Sequence, residues 1–468
     1  MSKKGKTVFV CQDCGYESPK WMGQCICGAW NTMTEEKVRS GKEEDKRRRS
    51  TAEPGRTSKA QPLASVAAGG RGERLDTGIS ELNRVLGGGL VKGSLTLISG
   101  EPGIGKSTII MQVAHHIAQA GGKVLYVSGE ESEEQLKMRA DRICGQLSPN
   151  LFVLAETNLE NISRVAGELE PDFIIVDSIQ TMYTEELDSA PGSVSQVRAC
   201  GNELMRIGKI KNIPIFIVAH VTKSGDLAGP KIVEHLVDCV LSFVGERNAE
   251  LRIMRAFKNR FGTTSEVGAF EMGERGLVEI QDLSKRFLEN TDQESEGSMI
   301  TAVYEGTRPL LMEIQALVAP TSLNFPRRTA IGLELSRLNM ILAVLERKVG
   351  IPFYNQDVYV NVVGGLRPEG TSTDLAAALA VYSSYGEKLP AKGVLALGEI
   401  GLTGDLRIVQ NAEKIIREAA RMGYQKTILP HSQRERMASS GEVKAALKGM
   451  ELIGAKNVRE AISACFED

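Results

Sequence analysis

Gly100-Glu101-Pro102-Gly103-Ile104-Gly105-Lys106-Ser107, followed by Thr108, has the spacing of a polyphosphate cradle. It satisfies G-x-x-x-x-G-K-[ST] at every defined position. The glycines let successive backbone N–H groups curl around phosphate oxygens, Lys106 reaches the β- and γ-phosphates, and Ser107 brings a hydroxyl to Mg²⁺. Two further carboxylate sites fit the same chemistry. Phe173-Ile174-Ile175-Val176-Asp177 is an apolar run ending in an acid, so Asp177 is expected to hold Mg²⁺ through water, with Ser178 and Gln180 near the γ-phosphate. Glu130-Glu131 ends another apolar run, where a carboxylate can orient or deprotonate an attacking water. Glu130 is the first choice and Glu131 the second. The plainer alternative is that both merely open an acidic helix over 132–142. ATP and Mg²⁺ are the implied ligands.

A second group of residues suits a metal. Of eight cysteines, four fall within the first 27 residues, as Cys11-x-x-Cys14 and Cys25-Ile26-Cys27. Thiolate pairs separated by a short loop suit a tetrahedral structural Zn²⁺ ribbon, and clustering in a chain expected in the cytosol reads as metal, not disulfide. The second pair is one residue short, which needs a tighter turn. A weakened or partly oxidised site is therefore the alternative to normal zinc binding. Tyr16, Trp21 and Trp30 are expected to pack around the knuckles as the core of so small a module.

These residues need elements to hold them. Residues 94–99 read as a buried strand and 108–120 as a helix stopped by Gly121-Gly122, so the phosphate loop is flanked by strand and helix. Residues 124–128, 173–177 and 215–219 read as further core strands. The last of these delivers His220, Thr222 and Lys223 to the same edge, where His220 could sense phosphate, contact DNA or be structural. Strands alternating with helices predict a parallel, doubly wound sheet with its ligand at the strands' carboxyl ends.

At 468 residues the chain exceeds one core, and length alone suggests about three domains. A hydrophobic content of 42% with 25% charged residues is ordinary for a soluble globular protein. No apolar run approaches the roughly 20 residues of a membrane span. The basic start MSKKGKTVFVC lacks a signal-peptide core, so a cytoplasmic location is expected. A net charge of −2 provides no bulk attraction to nucleic acid, leaving DNA contact to local basic patches. Residues 35 to about 61 are charged and poor in large apolar residues, including Lys46-Arg47-Arg48-Arg49, and read as a disordered tether.

The phosphate loop, Glu130-Glu131, Ile175-Val176-Asp177-Ser178 and above all Lys258-Asn259-Arg260-Phe261-Gly262 together resemble the RadA (Sms) family of bacterial DNA repair and recombination proteins. The resemblance spans the whole chain, with one departure: the family usually has C-x-x-C where this chain has Cys25-x-Cys27. It implies a zinc ribbon over 1–34, a flexible linker over 35–64, a RecA-like P-loop ATPase domain over 65–287, and an α+β domain like that of Lon proteases over 298–468. It also implies a DNA-dependent ATPase and homo-hexamer that acts on single-stranded and branched DNA and drives branch migration with RecA. By the same resemblance, Lys258 and Arg260 would reach a neighbouring subunit's active site. They follow a strand-like run over 251–257, late in the domain and so expected far from the phosphate loop in the sheet order. The alternative makes KNRFG a DNA-contact loop, its cations on phosphates and Phe261 stacked on a base.

After a polar break over 288–297, strands are expected near 300–303, 310–318 and 358–363, and helices over 338–348 and 411–421. Gly398-Glu399-Ile400-Gly401-Leu402-Thr403-Gly404-Asp405-Leu406-Arg407 resembles the proteolytic domain of Lon proteases, which needs a serine activated by a lysine. Here Asp374 or a neighbour stands at the serine position and Glu413 at the lysine position, while Ser372 and Lys414 are displaced. A proteolytically inactive, ring-forming domain is expected. An ATP-driven motor on DNA thus competes with an ATP-dependent protease and with a non-motor ATP switch.

Overall fold

The structure, a computed structural model, describes residues 6–11, 16–38, 74–219, 232–244, 251–289, 295–321, 325–364, 367–368, 370–438 and 449–466. Cys14, the Lys46–Arg49 run, His220, Thr222 and Lys223 lie outside them. The chain divides into two units, Met1–Glu279 and Ile280–Asp468.

In the first unit, β1 (Lys6–Cys11), β2 (Glu17–Ser18) and β3 (Met33–Val38) form a small antiparallel sheet in the order β2-β1-β3. The ribbon therefore extends past residue 34, because Glu35–Val38 pair back onto Lys6–Phe9. Its core differs from expectation. Cys11, Cys25 and Met33 fill it with Phe9 and Met22 against them, while Trp21 and Trp30 stand 55% and 69% exposed and Tyr16 is also exposed. A module this thin has room beside its small and flexible core side chains for one partly buried ring, Phe9, and Tyr16, Trp21 and Trp30 stay outside.

The larger α/β part of the unit follows. β4 (Arg74–Leu75) pairs with β5 (Leu90–Val91), and helix α1 (Ser80–Leu86) lies between them in sequence. The main sheet takes β6 (Leu95–Ser99), β7 (Val124–Ser128), β8 (Leu151–Ala155), β9 (Phe173–Asp177), β10 (Ile215–Val218), β11 (Cys239–Val244), β12 (Leu251–Asn259), β13 (Val267–Gly273) and β14 (Gly276–Glu279). Their order is β14-β13-β12-β11-β6-β10-β9-β7-β8. From β11 to β8 every pair is parallel, whereas β12, β13 and β14 add an antiparallel extension that the strand-helix alternation did not announce. No helix separates these last strands, so they fold back as hairpins.

The central parallel strands read as near-continuous apolar runs because both faces are covered, whereas the edge strand β8 is partly exposed. β6, β7 and β9 are buried at every position. Helices α2 (Lys106–Gln119) and α3 (Glu133–Cys144) cover one face with Ile109, Ile110, Met111, Val113 and Leu136. On the other, α4 (Leu159–Leu169) and α5 (Val194–Lys211) contribute Leu159, Ile162, Val197 and Leu204. The helix starts are locally written: Ser132 and Gln135 form a reciprocal capping box on α3, and the side chains of Asn158 and Ser193 cap α4 and α5. A short helix α6 (Ile232–Leu236) precedes β11.

The second unit begins earlier than the polar break suggested. Helix α7 (Leu283–Leu288), expected to close the ATPase domain, belongs here, with Leu283 and Phe287 buried and the Ser284 hydroxyl accepting the Leu311 N–H at 3.1 Å. Its sheet contains β15 (Ser298–Glu305), β16 (Arg308–Pro320), β17 (Arg328–Ile331), β18 (Gln356–Val362) and β19 (Val394–Ala396). A separate hairpin of β20 (Glu399–Ile400) and β21 (Leu406–Arg407) precedes the sheet's last strands, β22 (Lys426–Pro430) and β23 (Glu451–Ala455). The mixed order is β17-β18-β16-β15-β19-β22-β23. Helices α8 (Leu335–Val349), α9 (Asp374–Gly386), α10 (Ala412–Arg421), α11 (His431–Ala438) and α12 (Val458–Cys465) complete an α+β domain. Among the described residues no helix is long and apolar enough to cross a membrane.

Candidate nucleotide site

Three strands deliver the chemistry to one edge. β6, β7 and β9 are parallel, so Gly100, Gly129 and Ser178 all leave the sheet at its carboxyl side. Gly105 caps α2 with φ of 115°, a conformation that suits glycine, and the loop's N–H groups run into the helix N-terminus. Lys106 is buried, and its Nζ donates to Gly100 O at 2.7 Å and Glu101 O at 3.0 Å, so the ammonium is held inside the curl of the loop. Ser107 and Thr108 follow in the first turn, half-buried.

The two acidic candidates separate. Glu131 pairs with Arg139 on α3, and its N–H donates to Ser128 Oγ at 2.9 Å; burial pushes its carboxyl up. Glu130 turns the other way and accepts the Ser178 hydroxyl at 2.6 Å, beside the end of β9. Gly129 makes that turn possible, since a Cβ there would lie 1.9 Å from Thr181 Oγ1. Asp177 accepts the phenol of Tyr126 at Oδ2, 2.8 Å away, and its carbonyl takes the Gly129 N–H at 2.8 Å. Burial and the neighbouring carboxylate push the Tyr126 phenol well above its usual range, so it is a neutral donor at any working pH. Neither Tyr126 nor Arg252 stood out in the sequence. Arg252 is a buried arginine on β12 whose Nε donates to Ile104 O of the phosphate loop at 3.3 Å. For Tyr126 the available signal was a polar-tipped side chain inside an otherwise apolar strand, which must find a partner; Arg252 shares β12 with Arg255 and Lys258, so its sequence did not single it out.

Lys258 and Arg260 are not at this edge. β12 runs antiparallel to β11, with Asn259 opposite Cys239, so the KNRFG loop emerges at the amino side of the parallel strands. β12 lies only two strands from β6, so the separation is not one of sheet order. It comes from strand direction: six residues along β12, from Arg252 to Lys258, span about 20 Å. Lys258 Nζ donates to Glu234 O at 2.8 Å and His235 O at 3.2 Å, and burial together with Arg260 lowers its pKa. Arg260 is 54% exposed and donates to Asp238 Oδ1 at 3.2 Å. Asn259 Oδ1 accepts the Phe261 N–H at 2.9 Å, and Gly262 backs against Gly87.

The ribbon brings Cys11, Cys25 and Cys27 together, their sulfurs within 4.8 Å of one another. A tetrahedral zinc with Zn–S of about 2.3 Å sets its sulfurs about 3.8 Å apart, and Cys11 Sγ and Cys27 Sγ are 3.9 Å apart. The short second pair thus still delivers Cys27 to the cluster, through a turn at Gly28 with φ of 94°. These thiols fit zinc.

In the second unit the serine-lysine positions are taken up by other contacts. Asp374 is buried at the start of α9 and accepts Arg337 Nε at 3.0 Å on both oxygens and the Ile400 N–H at 3.1 Å. Burial pushes its carboxyl up, against the pull of those donors. Ser372 donates to Ala302 O at 3.5 Å, Lys414 Nζ donates to the Tyr304 hydroxyl at 2.8 Å, and Glu413 pairs with Arg417.

Three family models match the chain: "Rubredoxin metal binding domain" over residues 9–35, "AAA domain" over 61–226 and "Subunit ChlI of Mg-chelatase" over 329–433. The DNA repair protein RadA of Bacillus subtilis (strain 168) is 50% identical over 461 residues, covering 98% of both chains. That of Listeria monocytogenes serovar 1/2a is 46% identical over 471 residues, covering 99% of both. The crystal structure of a RadB recombinase aligns at 24% identity and a TM-score of 0.35, over 44% of this chain and 100% of its own.

Proposed function

The chain belongs to the RadA family of DNA repair proteins, and on that premise we propose that it is a DNA-dependent ATPase, a homo-hexamer that drives branch migration of recombination intermediates with RecA. One observation carries the catalytic part. Lys106, Glu130 and Asp177 converge from three strands on one edge, with Ser178 hydrogen-bonded to Glu130.

The division of labour follows from the geometry. N–H groups of Gly103 to Ser107 and the α2 terminus bind the β- and γ-phosphates, and Lys106 offsets their charge. The Ser107 hydroxyl, and Asp177 through water, would hold Mg²⁺, which would supply positive charge to offset the charge developing on the phosphate oxygens. Tyr126 holds the Asp177 carboxylate in place. Ser178 aims Glu130, whose carboxylate orients the attacking water and takes its proton. Glu131, tied to Arg139, shapes the turn instead. Lys258 and Arg260, at the opposite edge from their own phosphate loop, supply charge to a neighbour's transition state, which makes hydrolysis depend on ring assembly. The Asp374–Arg337 pair at the serine position supports a second unit that assembles the ring without peptidase chemistry.

The test is ATP turnover with and without single-stranded DNA, followed by extension of RecA-made three-strand intermediates. Turnover indifferent to DNA, or intermediates that never lengthen, would remove the motor reading. Cleavage of an unfolded protein would install the protease in its place.

A further inference from the structure

We propose that Arg74 is a positioning residue for the Lys258–Gly262 loop, clamping it to the end of α1 so that Lys258 and Arg260 are set for use by a neighbouring subunit. The inference rests on the trans role proposed for that loop.

Arg74 is half-buried on β4, on the far side of the phosphate-loop sequence from KNRFG. Its Nη1 donates to Leu86 O and to Gly89 O, each at 3.2 Å, and its Nη2 donates to Phe261 O at 2.7 Å. One planar guanidinium therefore joins carbonyls at the end of α1 to a carbonyl inside KNRFG, which a point-charge ammonium cannot do with the same geometry. Leu86 O belongs to the last turn of α1, where carbonyls lack intrahelical donors and need one from elsewhere.

The surroundings are shaped for the clamp. A Cβ on Gly262 would lie 3.1 Å from Gly87 Cα and 2.9 Å from Asn259 Nδ2, so the two loops meet backbone to backbone. Asn259 adds a tie of its own, donating from Nδ2 to Val85 O at 3.1 Å. The side chains of the two flanking cations rest on the α6 carbonyls (Lys258) and on Asp238 (Arg260), and the clamp adds hold on the backbone that carries them. At the loop's tip Asn259 takes the Phe261 N–H from within the loop, and Arg74 holds the Phe261 carbonyl from outside it. Misplacing a catalytic group by about 1 Å can cost on the order of 100-fold in rate, so loosening the tip should be felt in the chemical step and not in nucleotide binding.

Full-length Arg74→Ala should lose about 10- to 100-fold in kcat, with KM for ATP held within about twofold because its own phosphate loop is untouched. Arg74→Lys, which keeps the charge without the fork, should fall between it and wild type and melt like wild type. Mixing subunits separates positioning from mere destabilisation. Arg74→Ala mixed equally with Lys106→Ala should regain about one quarter of wild-type turnover per site, since half the sites are competent and half of their neighbours carry a sound loop. Mixed with Arg260→Ala it should regain nothing. If Arg260→Ala recovers with Lys106→Ala but neither Arg74 variant does, Arg74 is a structural residue and the proposal is overturned. Wild-type kcat in both Arg74 variants overturns it too. If the Arg260→Ala and Lys106→Ala mixture itself stays dead in demonstrably mixed rings, the trans role falls and takes this inference with it.

Discussion

Tyr126→Phe removes a single oxygen from the middle of the sheet and tests how Asp177 is held. The ring stays and no cavity of consequence opens, so the loss isolates one hydrogen bond, phenol to Asp177 Oδ2 at 2.8 Å. A hydrogen bond to a charged acceptor contributes about 1.5–3 kcal/mol net. Asp177 is 8% exposed, so water replaces the lost donor only in part, and a cost of about 1.5–2 kcal/mol is expected. For a unit of this size each kcal/mol moves Tm by roughly 2–4 °C, so the ATPase transition should fall by about 3–8 °C. The effect should be flat from pH 6 to 9, because the phenol is pushed well above its usual range and stays a neutral donor throughout. Turnover should need more Mg²⁺, since the carboxylate proposed to hold the ion through water is no longer oriented. Thermal unfolding by circular dichroism and a Mg²⁺ titration of ATPase activity are the measurements. An unchanged Tm with an unchanged Mg²⁺ midpoint would show that the phenol neither stabilises nor orients Asp177.

Lys106→Ala should abolish turnover with the fold intact, and steady-state hydrolysis near wild type would sink the phosphate-loop assignment. Glu130→Gln should keep nucleotide binding and lose on the order of 100-fold or more in the chemical step, whereas Glu131→Gln should act through stability, since it breaks the Arg139 pair; the reverse ranking in single-turnover rates would exchange their roles. Asp374→Ala should destabilise the second unit by about 2–3 kcal/mol, since it unpairs the Ile400 N–H and leaves the part-exposed Arg337 with Glu399, 3.7 Å away, as its remaining carboxylate, read as an early-melting transition, and neither it nor wild type should cleave an unfolded protein. The ribbon should bind about one zinc ion per chain, with Cys27→Ser weakening retention against a chelator; unaltered retention would remove Cys27 from the ligand set.

What the sequence determined by itself is what short stretches demand of their own backbone. The phosphate loop was legible because only glycines at those positions allow the curl, and β6, β7 and β9 because strands covered on both faces are mostly apolar. The clustering of Cys11, Cys25 and Cys27 was legible by spacing, and the departure from a serine-lysine pair by the residues at 374 and 413. What only the tertiary structure decided depends on strand order, strand direction and partners distant in the chain. Glu130 and Glu131 are neighbours with the same chemistry, and Ser178 and Arg139, on different elements, draw them to different places. KNRFG lies far from its own nucleotide edge because β12 runs antiparallel, a direction that its own residues do not encode. The ribbon tryptophans look like core in sequence and are surface in space, because burial needs an enclosing volume that three short strands do not supply.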